Sequence, residues 1–144
     1  MQSAFPVLLM LAAGAAIAGQ SLFSGTLGAR VGVMESTFII HLGGLLLAAL
    51  ILLFMRGGNL GAWRAVPWYV YLGGFLGVLI VAAYSFAVPK IGLASSITLA
   101  IVAQLVISAV LDHYGILGAA QQSLSWSRGF GIVVLLAGTW LILR

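Results

Sequence analysis

The sequence predicts an all-α membrane protein of five transmembrane helices per subunit, on three observations. Hydrophobic residues make up 63% of the 144-residue chain and charged residues 6%, against roughly a quarter charged in an ordinary soluble domain. The apolar residues fall in continuous runs of the length a bilayer demands, about 20 residues. Those runs show none of the period-2 alternation of a barrel strand, so a helix is the form that satisfies the backbone in lipid.

In chain order the spans read as Phe5 to Leu27, Ser36 to Met55, Trp68 to Val88, Gly92 to Leu111 and Trp126 to Leu143, within one integral membrane domain over residues 1–144. The first could be mistaken for a signal peptide ending near Ala16-Ile17-Ala18. No Lys or Arg precedes it and four more apolar runs follow, so it reads as a retained span. Gly28 to Glu35 links it to the second span. Gly57-Gly58-Asn59 supplies turn chemistry in the connection from Arg56 to Pro67, and Pro89-Lys90-Ile91 predicts a tight turn between the third and fourth spans. Gly115 and Gly118 punctuate the longer stretch from Asp112 to Ser125. The fifth span opens on Trp126, Ser127 and Arg128, types that sit at headgroup depth, and Trp63, Trp68 and Tyr69 join Trp126 as interfacial anchors. No repeat is apparent within the chain.

Five spans put the termini on opposite faces. One face then holds Arg56, Arg64 and Arg128, and the other Arg30, Lys90 and Arg144. Lys and Arg in short loops set the orientation of insertion. An even division predicts no preferred orientation, and two copies inserted in opposite senses would form a ten-helix inverted-repeat dimer. Many secondary transporters have that architecture.

The formal charge of +4 reflects a scarcity of acids, Glu35 and Asp112 alone. No stretch interleaves Lys or Arg with aromatics as a nucleic-acid groove requires. With no cysteine there is no disulfide, thiol nucleophile or thiolate metal site. GxxxxGK[ST], HExxH and GxSxG are all absent, so nothing points to ATP hydrolysis, metal-dependent hydrolysis or a serine hydrolase. The chain is expected not to be an enzyme and to need no cofactor or metal.

Polar groups in hydrocarbon are costly unless paired or wetted, so function is sought among them. Gln104, Ser108 and Asp112 recur at steps of four and share one helical face. That face either lines a polar cavity or leaves Gln104 bonded to a neighbouring helix and Asp112 solvated at the boundary. Gln20 and Ser24 share a face of the first span. His41 lies about 9 Å inward from Glu35 at 1.5 Å per residue; with Thr37 it forms a titrating or substrate-binding pair, or else a structural histidine bonded to backbone. Tyr84 offers an aromatic surface to a substrate or packs internally. Glu35 and Asp112 are candidate proton or cation groups. Gly73 with Gly77, and Gly131 with Gly138, are helix-packing candidates, within one copy or between copies.

The stretch from Gly73 to Gly118 resembles the YdcZ-type inner-membrane exporters of the drug/metabolite transporter superfamily. The matching pieces are Gly73-Gly74 with Gly77, Pro89 followed by Gly92, Gln104, and Asp112-His113-x-Gly115. Gln20, Ser24 and Gly28 resemble the family's Gln-x-x-x-Asn-x-x-x-Gly pattern, with Ser24 in place of the usual Asn. The resemblance implies a bacterial inner-membrane location, five-helix subunits, antiparallel homodimers or paired proteins, and solute transport. Small multidrug resistance proteins of the same superfamily use a Glu in the first helix for proton and cation exchange, where this chain has Gln20.

The expectation is therefore a multi-pass secondary transporter of a small-molecule substrate, surrounded by membrane lipid. It would work by alternating access as a dual-topology antiparallel homodimer, with Gln20, Ser24, His41, Tyr84, Gln104 and Ser108 binding substrate. The other reading is a non-transporting membrane subunit that assembles with or regulates a partner, with the glycine faces as its working surface.

Overall fold

The computed structural model describes residues 4–55 and 58–144; Arg56 and Gly57, one a counted charge and the other part of a predicted turn, lie outside them. All regular structure among the described residues is helical. The helices are α1 (Ala4–Val31), α2 (Val33–Phe54), α3 (Leu72–Ile91), α4 (Leu93–Tyr114) and α5 (Trp126–Ile142), with short 3-10 turns at Leu60–Ala65, Trp68–Tyr71 and Ile116–Gly118.

Four helical stretches are long and apolar enough to cross a membrane: α1, α2, Trp68–Ile91 and α4. The fifth is shorter. Its 17 residues rise about 25 Å, less than the roughly 30 Å of a hydrocarbon core.

Two predicted connections are much tighter than the sequence suggested. The link from Gly28 to Glu35 shrinks to Gly32, because α1 runs to Val31 and α2 begins at Val33. The turn placed at Pro89-Lys90-Ile91 lies instead at Gly92, and Pro89 sits inside the last turn of α3. Gly32 (φ 109°, ψ 155°) and Gly92 (φ 84°, ψ 161°) share one backbone conformation. A side chain makes that region inaccessible, so a single glycine can end one helix and start the next.

The likeness of the two joints extends a short way along the chain. α2 and α4 are each 22 residues long and begin sixty residues apart. Arg30-Val31-Gly32-Val33-Met34-Glu35-Ser36 matches Lys90-Ile91-Gly92-Leu93-Ala94-Ser95-Ser96 in cation, β-branched residue, glycine and closing serine. The Ser36 amide donates to the Gly32 carbonyl at 3.0 Å and the Ser96 amide to the Gly92 carbonyl at 3.2 Å. Three pairs of buried positions share this register, Ser21 and Val81, Gly25 and Ser85, Ser36 and Ser96, whereas buried Ser24, Thr37 and Val88 have half-buried counterparts. Helix–glycine–helix thus occurs twice, with α5 appended.

The chain forms two compact units, Met1–Lys90 and Ile91–Arg144. In the first, the enclosed side chains are small and polar: Ser21, Ser24, Ser36, Thr37 and Ser85, beside Val81 and Val88. Large apolar side chains point outward, as expected where lipid is the solvent and helices associate through close packing of small residues. A Cβ placed on Gly25 would lie 2.6 Å from the Val88 Cβ, and one on Gly28 would lie 2.7 Å from the Ser85 carbonyl oxygen. Pro89, four residues on, has no N–H to give that carbonyl. The lost helical hydrogen bond leaves space that the Gly28 backbone closes.

In the second unit α4 ends at Gly115, whose left-handed φ of 61° makes it a C-cap. The returning strand of chain is tied to that end. The Gln122 amide donates to the Asp112 carbonyl at 2.8 Å and the Leu124 amide to His113 Nδ1 at 3.2 Å. Ser125 then caps α5, its hydroxyl accepting from the Arg128 amide at 3.3 Å.

Candidate functional site

The polar side chains of the first unit fall into local groups. Gln20 is exposed on α1, whereas Ser24, one turn further on, is fully buried and its carbonyl accepts from Ser36 Oγ at 3.1 Å. His41 is half-buried, and its Nδ1 lies 2.8 Å from the Thr37 carbonyl oxygen. A carbonyl only accepts, so Nδ1 carries the proton. Nε2 is left to face Gly77, where an added Cβ would come within 3.4 Å of it. Tyr84 is half-buried with its hydroxyl beside the Ser21 side chain. Glu35 lies exposed in the first turn of α2, its carboxylate folded over Gly32, where negative charge suits the helix N-terminus.

The glycines divide in an informative way. A Cβ on Gly73, Gly131 or Gly138 would meet nothing within 4 Å among the described residues, so those positions leave open helix faces. The close approaches are at Gly25 and Gly28 instead. Ser21-x-x-x-Gly25 and Ser24-x-x-x-Gly28 are small-xxx-small pairs. That spacing could have found them from sequence.

In the second unit Ser108 and Asp112 line a groove of about 340 Å³ between α4 and α5, and Gln104 is exposed on α4 without lining it. The walls are Leu105, Ser108, Ala109 and Asp112 on α4, and Arg128, Gly131, Ile132 and Leu135 on α5. Each set follows i, i+3, i+4, i+7, one face of a helix. Asp112 and Arg128 form the one ion pair among the described residues, 3.9 Å between Oδ2 and Nη1, with both side chains partly exposed. Arg128 also donates to the Gln122 side chain. In the sequence alone Arg128 reads as a topology charge and a headgroup-depth residue, not as a partner of Asp112. The spacing of Arg128 to Gly131 and Ile132 was the signal that it faces α4.

Among the described residues no group of three or more His, Cys, Asp or Glu side chains is placed to hold a metal. What the two units offer is hydrogen bonding and paired charge inside helices that otherwise present hydrocarbon to hydrocarbon.

Apolar spanning helices packed through small residues, with polar side chains held at bilayer depth, define a multi-pass helical membrane protein. The chain belongs to the family described as "Putative inner membrane exporter, YdcZ", whose profile matches residues 5–141, nearly its whole length. It is accordingly a multi-pass inner-membrane protein and, at the level of class, a transporter. No curated protein and no solved structure matches it.

Proposed function

We propose that the protein exports a small solute by alternating access, as an antiparallel homodimer of two oppositely inserted copies. The observation that carries this reading is the exposure of two glutamines within spanning helices, Gln20 on α1 and Gln104 near the middle of α4. An amide facing hydrocarbon without a partner costs several kcal/mol. A second copy, together with the wetted path it encloses, relieves that cost for both.

In the first unit Gln20, the accepting Nε2 of His41 and the ring of Tyr84 are offered to the solute, and in the second Gln104 and Ser108, while Ser24 acts through its bond to Ser36. Asp112 and Glu35 are the carboxylates available for proton or cation coupling. The open faces at Gly73 and Gly138 are available to a second copy, and the even charge division supplies copies of both orientations.

Reconstitution of the purified protein into liposomes, followed by a solute screen with and without a proton gradient, tests the reading. Uptake or exchange by this chain alone is expected. A protein that moves no solute by itself, but binds a second membrane protein through the glycine faces, is an assembly subunit.

A further inference from the structure

We infer that the groove between α4 and α5 binds an amphipathic zwitterion, a molecule with an ammonium and an anionic group close together and an apolar body. As the cargo class of the exporter this rests on the transport reading, but binding is measured apart from flux.

The mouth of the groove carries one charge of each sign. Asp112 and Arg128 stand 3.9 Å apart with side chains 39% and 44% exposed, too far for the 2.7–2.9 Å of a charge-assisted hydrogen bond. Both keep bonding capacity. Arg128 gives a hydrogen bond to Gln122 but has five N–H donors. No side-chain hydrogen bond to the Asp112 carboxylate is made among the described residues.

Inward from that mouth the groove is hollowed by small residues, Ser108, Ala109 and Gly131, and walled further in by Leu105, Ile132 and Leu135. Asp112 to Leu105 is about 10 Å along the helix. A charged head at the mouth therefore sits above space for an aliphatic or aromatic body, with the Ser108 hydroxyl one turn inside.

Sign selectivity follows from the pair. A simple cation attracted to Asp112 meets Arg128 at similar range, and a simple anion on Arg128 meets Asp112; each gains one attraction and one repulsion of comparable size. A molecule bearing both charges replaces one loose ion pair with two short charge-assisted hydrogen bonds. The same head chemistry arises in a free amphipathic zwitterion and in the headgroup of an ethanolamine phospholipid, so the two sources are separated by experiment.

The test uses the full-length protein in nanodiscs of phosphatidylcholine, whose quaternary ammonium has no N–H to give Asp112. Affinities are measured for leucine, its cationic methyl ester and its anionic N-acetyl derivative. Leucine is expected to bind at least tenfold more tightly than either single-charge analogue. Arg128→Gln and Asp112→Asn should each lose that preference, and the exchange of both residues, Asp112→Arg with Arg128→Asp, should keep it. If phosphatidylethanolamine in the disc blocks leucine in the parent, the head belongs to a lipid; if leucine binds equally in both discs, the ligand is a free solute. Equal affinity for the three probes, or no binding in either lipid, overturns the assignment and leaves the pair as a tie between helices. Leucine bound without flux would keep the site and remove it from transport, whereas leucine flux indifferent to both single substitutions would keep transport and remove the site.

Discussion

Ser36 Oγ on α2 lies 3.1 Å from Ser85 Oγ on α3, and both side chains are buried. Ser36 also reaches the Ser24 carbonyl on α1 at 3.1 Å. Its single proton goes to the carbonyl, so Ser85 donates to Ser36. Three helices meet at one hydroxyl. Interhelical hydrogen bonds in lipid average about 0.6 kcal/mol and reach about 1.7. A double-mutant cycle on Ser36→Ala and Ser85→Ala, read by unfolding in mixed micelles, should give a coupling in that range. Additive effects would mean that the hydroxyls do not bond.

The α1–α3 approach gives a larger expected effect. Gly28→Ala drives a methyl group against the Ser85 backbone carbonyl, which cannot rotate away, and Gly25→Ala meets Val88 at 2.6 Å. Each should destabilise the protein by about 1–3 kcal/mol, the usual cost of overpacking. Gly73→Ala, with open space around it, should leave the unfolding midpoint of the monomer in place. Equal losses at all three sites would contradict the packing at Gly25 and Gly28.

Hydropathy found the four long apolar helices because lipid requires long apolar runs, and α2 and α4 differ from the sequence reading only by about a turn at their ends. Connections were harder to read. Glycine, proline and charge around Arg30 and Lys90 resemble loop chemistry, yet a helix tolerates a terminal cation at its negative end and Pro89 costs only a hydrogen bond beside Gly28. The likeness of the two joints was hidden because beyond residues 30–36 and 90–96 the equivalent positions keep neither identity nor size: Ser24 answers Tyr84 and Gly28 answers Val88. Of the candidate site, the stepwise pattern at Ser108 and Asp112 was visible on one helix. Arg128 comes from the next helix, and the periodicity of each helix taken alone does not say which face of the other it meets.

The matched joints predict matched behaviour. Ala at Gly32 or Gly92 must enter a backbone region that costs of order 1–3 kcal/mol for a residue with a side chain. At Gly32 the new methyl also meets the Glu35 carboxylate, but that flexible group can swing into water. The two variants should therefore lose similar stability, measured by the temperature at which each leaves solution as aggregate. Tolerance of Gly92→Ala with loss at Gly32→Ala would break the equivalence of the two joints.

Gln104→Leu should separate transport from folding. The substitution removes an exposed amide from the middle of α4 and changes little volume, so the apolar helix inserts at least as well as before. Reconstituted variant protein is expected to retain its melting temperature and lose at least tenfold in initial flux. Flux equal to the parent's would take Gln104 out of the solute path.

Dual topology is the prediction with the widest consequences, because it follows from counted charges together with the odd number of crossings that the sequence predicts. Arg56, Arg64 and Arg128 balance Arg30, Lys90 and Arg144, and cytoplasmic retention of Lys and Arg is what orients short-looped membrane proteins. A C-terminal reporter should thus be found on both sides of the membrane. Two Lys added between Gly58 and Pro67 should hold that loop in the cytoplasm, and two beside Arg30 should hold the opposite face there. Each biased form alone is expected to be inactive, and co-expression of the two should restore transport, since only then do oppositely inserted copies meet. If α5, at 17 residues, fails to cross, both termini lie on one face and Arg144 changes sides, which makes the division four against two. The parent would then show its reporter on a single side, and the functional pair would need a different, oppositely inserted protein as its second half.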